Sequence, residues 1–134
     1  MKACVTLTFV LAVSLYPSAA EDAEDPLQVL YKSQTYSRSP GSSVRLLCQT
    51  DFDPERCSDV HAVWFHKELP LSDPDKYLTA VNESVGQRQW RRRHVLTEIL
   101  RLGPEDDGHY QCRATANCTM MKTWMGHLIH VTVT

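Results

Sequence analysis

The chain has 134 residues, 43% of them hydrophobic, and a formal net charge of −2 from 14 Lys and Arg against 16 Asp and Glu. A chain of this length builds one hydrophobic core. Its charge balance gives no general pull toward nucleic acid or anionic lipid.

The N-terminus has the three parts of a secretory signal peptide over residues 1–20. Lys2 supplies the positive region, Ala3 to Tyr16 is uncharged and mostly apolar, and Ser18-Ala19-Ala20 offers small residues for cleavage. The apolar run is about 14 residues, short of the roughly 20 that a membrane-crossing helix needs. Residues 21–26, from Glu21 to Pro26, form an acidic, solvated arm. A single domain is expected over 27–134. No later stretch has spanning length, so the expected location is secreted or extracellular, either as a soluble protein or as the ectodomain of a longer membrane protein.

From Leu27 onward, short apolar runs are broken by turn signals at Pro40-Gly41, Ser72-Asp73-Pro74-Asp75, Asn82-Glu83-Ser84 and Gly103-Pro104. That punctuation predicts an all-β sandwich. Period-two alternation places Val44, Leu46 and Cys48 on one strand face, Ala62 and Trp64 on another, then Tyr110, Cys112 and Ala114, and finally Ile129, Val131 and Val133. The run His94 to Leu102 carries apolar residues on both faces. It is expected to be a strand with Ile99 and Leu102 inward and Thr97 a satisfied core position.

Cys4 leaves with the leader, and Cys48, Cys57, Cys112 and Cys118 remain. An even number in a secretory chain favours disulfides, with three connectivities open. Zinc competes, because six His accompany them, but neither C-x-x-C nor H-x-x-x-H spacing is present. No metal or other cofactor is expected. Without G-x-S-x-G, P-loop or metalloprotease motifs, no catalytic residue is assigned and no enzyme activity is expected.

Cys48, Trp64 and the run Asp106-Asp107-Gly108-His109-Tyr110-Gln111-Cys112 resemble the B-strand Cys, C-strand Trp and D-x-G-x-Y-x-C signature of V-like immunoglobulin domains. The resemblance covers the chain from Leu27 on, with immune regulatory receptors as loose relatives. It implies a two-sheet antiparallel immunoglobulin V-like sandwich with Greek-key connections. It further implies a Cys48–Cys112 bridge between sheets, Trp64 packed on that bridge, and Tyr110 in a tyrosine corner. Asp106 is expected to pair with a base near the start of strand D, with Arg88 preferred over Arg91, Arg92 and Arg93. Trp124-Met125-Gly126-His127 lacks the Gly-x-Gly joining motif of rearranging receptors.

The same resemblance leaves Cys57 to pair with Cys118, beside the B–C and F–G loops. Such a bridge staples two loops and lowers the entropy lost when they meet a partner. Partner contacts are expected on an F–G loop running from Thr119 to Met125, with Met120, Met121 and Trp124, the alternative being that Trp124 and Met125 already belong to strand G and are packed. They are also expected on the outward face of strands G, F and C, where V-like parity places Val63, Phe65, Gln111, Arg113, Leu128 and His130. Phe65 is the first anchor to test. The implied partner is a protein ligand or receptor, such as another immunoglobulin domain, in immune recognition or adhesion.

A glycan is the alternative partner. Arg113 stands seven residues after Asp106, as the sialic-acid-binding arginine of siglecs stands after the matching Asp, and a guanidinium suits a carboxylate. The run Trp90-Arg91-Arg92-Arg93 is a candidate heparin patch, or else the solvated edge between strands D and E. Asn82-Glu83-Ser84 and Asn117-Cys118-Thr119 match the glycosylation acceptor, Asn82 on an expected exposed turn and Asn117 beside a disulfide.

Overall fold

A computed structural model describes residues 25–134. The expected signal peptide and residues 21–24 of the acidic arm lie outside the described residues. Nine strands follow in order: β1 (Leu27–Leu30), β2 (Thr35–Arg38), β3 (Val44–Phe52), β4 (Ser58–His66), β5 (Leu69–Pro70), β6 (Tyr77–Val85), β7 (Arg91–Ile99), β8 (Gly108–Asn117) and β9 (Met121–Val133). They form two sheets, β1-β3-β7-β6 and β2-β9-β8-β4-β5. The all-β sandwich is therefore present.

Alternation in sequence becomes alternation in burial. On β3 the buried set is Val44, Leu46, Cys48, Thr50 and Phe52, and on β8 it is Tyr110, Cys112, Ala114 and Ala116. The blurred run resolves in the same way, because Val95, Thr97 and Ile99 are buried while Leu96 is only half-buried. Thr97 meets the Thr79 hydroxyl at 3.3 Å, and Leu102 is buried just beyond the strand. Cys48 and Cys112 are bonded across the sheets, and Trp64 lies in the same buried cluster with 1% of its surface exposed.

The fully antiparallel expectation needs one correction: β2 runs parallel to β9, from Thr35↔His130 to Arg38↔Val133. The N-terminal strand divides between the sheets. Its first half lies antiparallel to β3 in one sheet, and after the crossover at residues 31–34 its second half joins the edge of the other.

Tyr31, in that crossover, closes a gap left by a bulge. Between Gln111↔Leu128 and Arg113↔Met125 the β9 strand carries one extra residue. The Tyr31 hydroxyl enters there, accepting from the Cys112 backbone N–H at 3.1 Å and donating to the His127 carbonyl. Its ring lies 4.9 Å from that of Trp64. A Cβ at Gly126 would collide with this ring, which is why the bulge carries glycine. Tyr31→Phe leaves the Cys112 N–H without its partner and should cost about 2 kcal/mol. Denaturant unfolding should show this as a lower midpoint with an unchanged slope.

The β7–β8 turn contains the expected tyrosine corner, with the Tyr110 hydroxyl donating to the Asp106 carbonyl at 2.6 Å. The partner of Asp106 differs from expectation. Its buried carboxylate takes Lys76 Nζ at 2.7 Å and the Gly103 backbone N–H at 2.9 Å. Lys76 directly precedes β6, next to the turn, whereas Arg88 follows that strand and is carried about 30 Å away by its nine residues. Arg91, Arg92 and Arg93 lie at that same far end, opening β7 against Val85.

Burial pushes the Tyr110 phenol well above its ordinary value, with the nearby Asp106 charge adding to the effect. Burial also raises Tyr31, against the opposing Cys112 hydrogen bond, and raises Tyr77. Above about pH 10 the unfolded chain therefore releases protons that the fold retains. Stability is present in full below that pH and is lost as pH rises. Thermal melts from pH 8 to 11 should show a falling midpoint, with tyrosinate absorbance from Tyr110 growing in together with unfolding.

Candidate functional site: the outer face of the larger sheet and its loop end

The outward positions of β4, β8 and β9 form one surface on the five-stranded sheet. Val63 is 36% exposed, Leu128 55% and Met125 62%. Val63, Phe65 and Met125 surround an open depression of about 470 Å³, with Arg113 and Thr115 along its floor. His130 is half-buried at the margin, its Nε2 3.8 Å from Asp107 and its ring edge-on to His109 at 4.7 Å. Every residue that strand parity assigned to this face is half-buried or exposed on it.

Phe65 is less available than its position in sequence suggests. The Arg113 guanidinium lies over its ring, 4.5 Å from the centroid. Arg113 then donates to both Glu68 carboxylate oxygens at 2.9 and 3.0 Å and to Gln111 Oε1 at 3.0 Å. The bonds between Arg113 and Glu68 hold the Glu68 carboxyl below its ordinary range and push the guanidinium above its own. Glu68 was not foreseen. It sits in the β4–β5 turn, where Lys67 and Glu68 both adopt positive φ, 52° and 62°, without the Gly or Asn that normally signals such a turn. The free apolar surface therefore centres on Val63, Met125 and Leu128, with Phe65 half-covered behind them.

At one end of this face the second bridge, Cys57–Cys118, is formed, with Cα atoms 4.2 Å apart. Asp53 builds the loop that delivers Cys57. Its backbone carbonyl accepts from the Cys57 N–H at 2.9 Å, and its carboxylate accepts from the Glu55 N–H at 3.0 Å and Arg56 Nε at 2.9 Å. The Arg56 bond, with the Glu55 N–H behind it, holds that carboxyl below its usual value.

The expected F–G loop from Thr119 to Met125 is mostly strand. β8 ends at Asn117 and β9 begins at Met121, leaving a connection of only Cys118, Thr119 and Met120. The tight bridge at the loop's base lets pairing run on to Asn117↔Met121. Met120 and Met121 are 71% and 67% exposed, so the apolar loop end is present. Trp124 borders it, lining one open depression together with Thr119 and Met120. It lies on β9 half-buried against the small cluster of Leu27, Phe52, Val60 and Ala116, and its Nε1 donates to Asp25 at 3.0 Å. Asp25 is thus tied to the domain, two residues before the expected start at Leu27.

The arginine run does not lie on an edge. β7 is flanked by β3 and β6, and its arginines meet acids across both neighbours: Arg92 donates to Asp51 at 3.1 and 3.2 Å, and Arg93 to Glu83 at 2.9 Å. Arg91 lies 3.9 Å from Glu83. Asn82 is exposed on strand β6 rather than on a turn, and Asn117 is exposed at the end of β8. Among the described residues, no three His, Cys, Asp or Glu side chains gather as a metal site would require, and no helix is long and apolar enough to cross a membrane. No protein-family model matches the chain, and no curated protein matches it significantly.

Proposed function

We propose that this chain is an extracellular immunoglobulin domain of the V-like kind that binds a protein ligand, another immunoglobulin domain being the favoured class, in immune recognition or adhesion. It has no catalytic chemistry of its own. The sandwich with its inter-sheet disulfide is compatible with an immunoglobulin-like domain, and two disulfides fit an oxidising compartment. The V-like assignment rests on the Cys48, Trp64, Tyr110 and Cys112 constellation and on the division of the first strand between both sheets. The second sheet stops at the two-residue β5, shorter than in the fullest variable pattern.

The observation that carries the binding reading is the apolar surface on the larger sheet, with Val63, Met125 and Leu128 exposed beside Arg113 and running toward Met120 and Met121. Contiguous exposed apolar side chains rimmed by polar ones mark interaction sites. Met adapts to a partner's shape, and aromatic and Arg groups recur at energetic centres of interfaces. Glycan binding through Arg113 or through Arg91 to Arg93 is the weaker reading. Each of the first and last two of these, Arg113, Arg92 and Arg93, has an acidic partner within the fold that a sugar carboxylate or sulfate would have to displace.

The two readings separate in a cell-binding assay with multimerised domain. Protease stripping of the target cells should abolish staining, while sialidase and heparinase treatment should leave it intact. Staining that survives protease but falls with either glycosidase would reverse the assignment.

A further inference from the structure

We propose that Asn82 carries an N-linked oligosaccharide whose structural task is to guard the free edge of β6. The four-stranded sheet ends on this strand, which pairs with β7 over its whole length, from Tyr77↔Ile99 to Val85↔Arg91. No strand among the described residues covers its other side. Leu78, Val81 and Val85 are 51%, 62% and 66% exposed along it.

A long, apolar edge of this kind is a template for pairing with a second chain. Proteins blunt such edges with lysine, proline, a bulge, short length or a covering element. The other sheet edges are short: β1 and β2 have four residues each and β5 has two. β6 has nine residues, no Lys or Pro, and an unbroken register. Its one charge, Glu83, is engaged by Arg93 at 2.9 Å. What it does have, just past its midpoint, is the acceptor Asn82-Glu83-Ser84.

The geometry favours this acceptor over the other. Tyr77 packs on the core and Thr79 bonds inward to Thr97, so period two turns Asn82 and Ser84 out of the sheet, where both are exposed. In Asn117-Cys118-Thr119 the middle residue is bridged to Cys57. Thr119 is held at φ 76°, and its hydroxyl donates to the Cys118 carbonyl. An acceptor held in this way is the poorer substrate, and Asn117 is expected to stay unmodified. At Asn82 the amide nitrogen gives up one hydrogen as a proton and bonds to C1 of the first sugar. The C1–O bond to a lipid diphosphate breaks, and the lipid diphosphate leaves from a lipid-linked oligosaccharide donor of the secretory pathway. A hydrated glycan on β6 then holds other chains off the strand.

The test is expression of the full chain in eukaryotic cells, followed by intact-mass analysis and sedimentation. One glycan is expected, lost in N82Q and in S84A and retained in N117Q. The two sugar-free variants should sediment at twice the monomer mass or more, and adding V81K to either should return it to monomer. If N82Q is not secreted, S84A supplies the comparison with Asn82 intact. An unmodified Asn82 in the secreted wild type overturns the proposal, as does a sugar-free variant that stays monomeric.

Discussion

Trp64→Ala should cost about 4 kcal/mol and lower the melting temperature by roughly 15–25 °C. The indole fills the centre of the sandwich at 1% exposure, among Leu46, Ile99, Ile129 and the Cys48–Cys112 bridge. Tyr31 leans on it from the strand crossover, so removal also loosens the hydroxyl that seals the β9 bulge. The surrounding strands are fixed by two bridges and cannot collapse into the space, which places the cost in the upper part of the range for such truncations. For a domain whose total stability is about 5–15 kcal/mol, that is enough to leave the variant close to unfolding. Trp64→Phe should be far milder. The indole N–H is buried and finds no protein partner among the described residues, so exchanging it for a phenyl ring forfeits volume but no hydrogen bond. Calorimetry on the two variants checks the ordering, and a Phe variant as unstable as the Ala one would contradict it.

Replacing both Cys57 and Cys118 by Ser should cost about 3 kcal/mol, less than the 61-residue separation of the pair suggests. Once Cys48 and Cys112 are joined, the second bridge closes only the nine residues from Cys48 to Cys57 and the six from Cys112 to Cys118. A loop of about 15 residues corresponds to roughly 3 kcal/mol in the chain-entropy picture. The lost order should be local. Hydrogen exchange should rise in the Asp53–Cys57 loop and at Asn117–Met121, where pairing depends on the tight connection, while the Trp64 core stays protected. If the bridge preorganises the binding end, the double variant should also bind its partner more weakly at temperatures where it remains folded.

How much of this was legible in the sequence depends on the range of each interaction. Alternation within one strand is a local property, and it placed Val44, Leu46 and Cys48 of β3, Tyr110, Cys112 and Ala114 of β8, and Ile129 and Val131 of β9 inward, although Leu47 blurs the β3 pattern and Val133 is only half-buried. The outward set on the larger sheet followed from the same parity. Contacts between segments far apart in sequence were not legible. Tyr31 reaches Cys112 across 81 residues, and nothing about a tyrosine in an irregular stretch announces a bulge in a distant strand. Lys76 was missed in favour of Arg88 because the start of β6 could not be fixed to a residue, and one strand length separates the two candidates. The cover over Phe65 was not legible because it comes from Arg113 on the neighbouring strand, itself held by Glu68 in a turn that carries no turn-forming residue. Loop and strand G were both open for Trp124 and Met125 because the length of the hairpin connection is not written in the residues, and a connection of three residues places both on β9.

Placing a charge on each face of the sandwich tests most directly where the domain binds. Val63→Glu with Met125→Glu puts two carboxylates into the proposed contact surface, at positions that are exposed and whose replacement spares the core. Leu47→Glu, on the outer face of the four-stranded sheet at 49% exposure, is the matched control. With all three proteins melting as wild type does, the multimerised double variant should lose cell staining at least tenfold, and Leu47→Glu should stain as wild type. Retained staining by the double variant, or loss confined to Leu47→Glu, would contradict binding through the larger sheet.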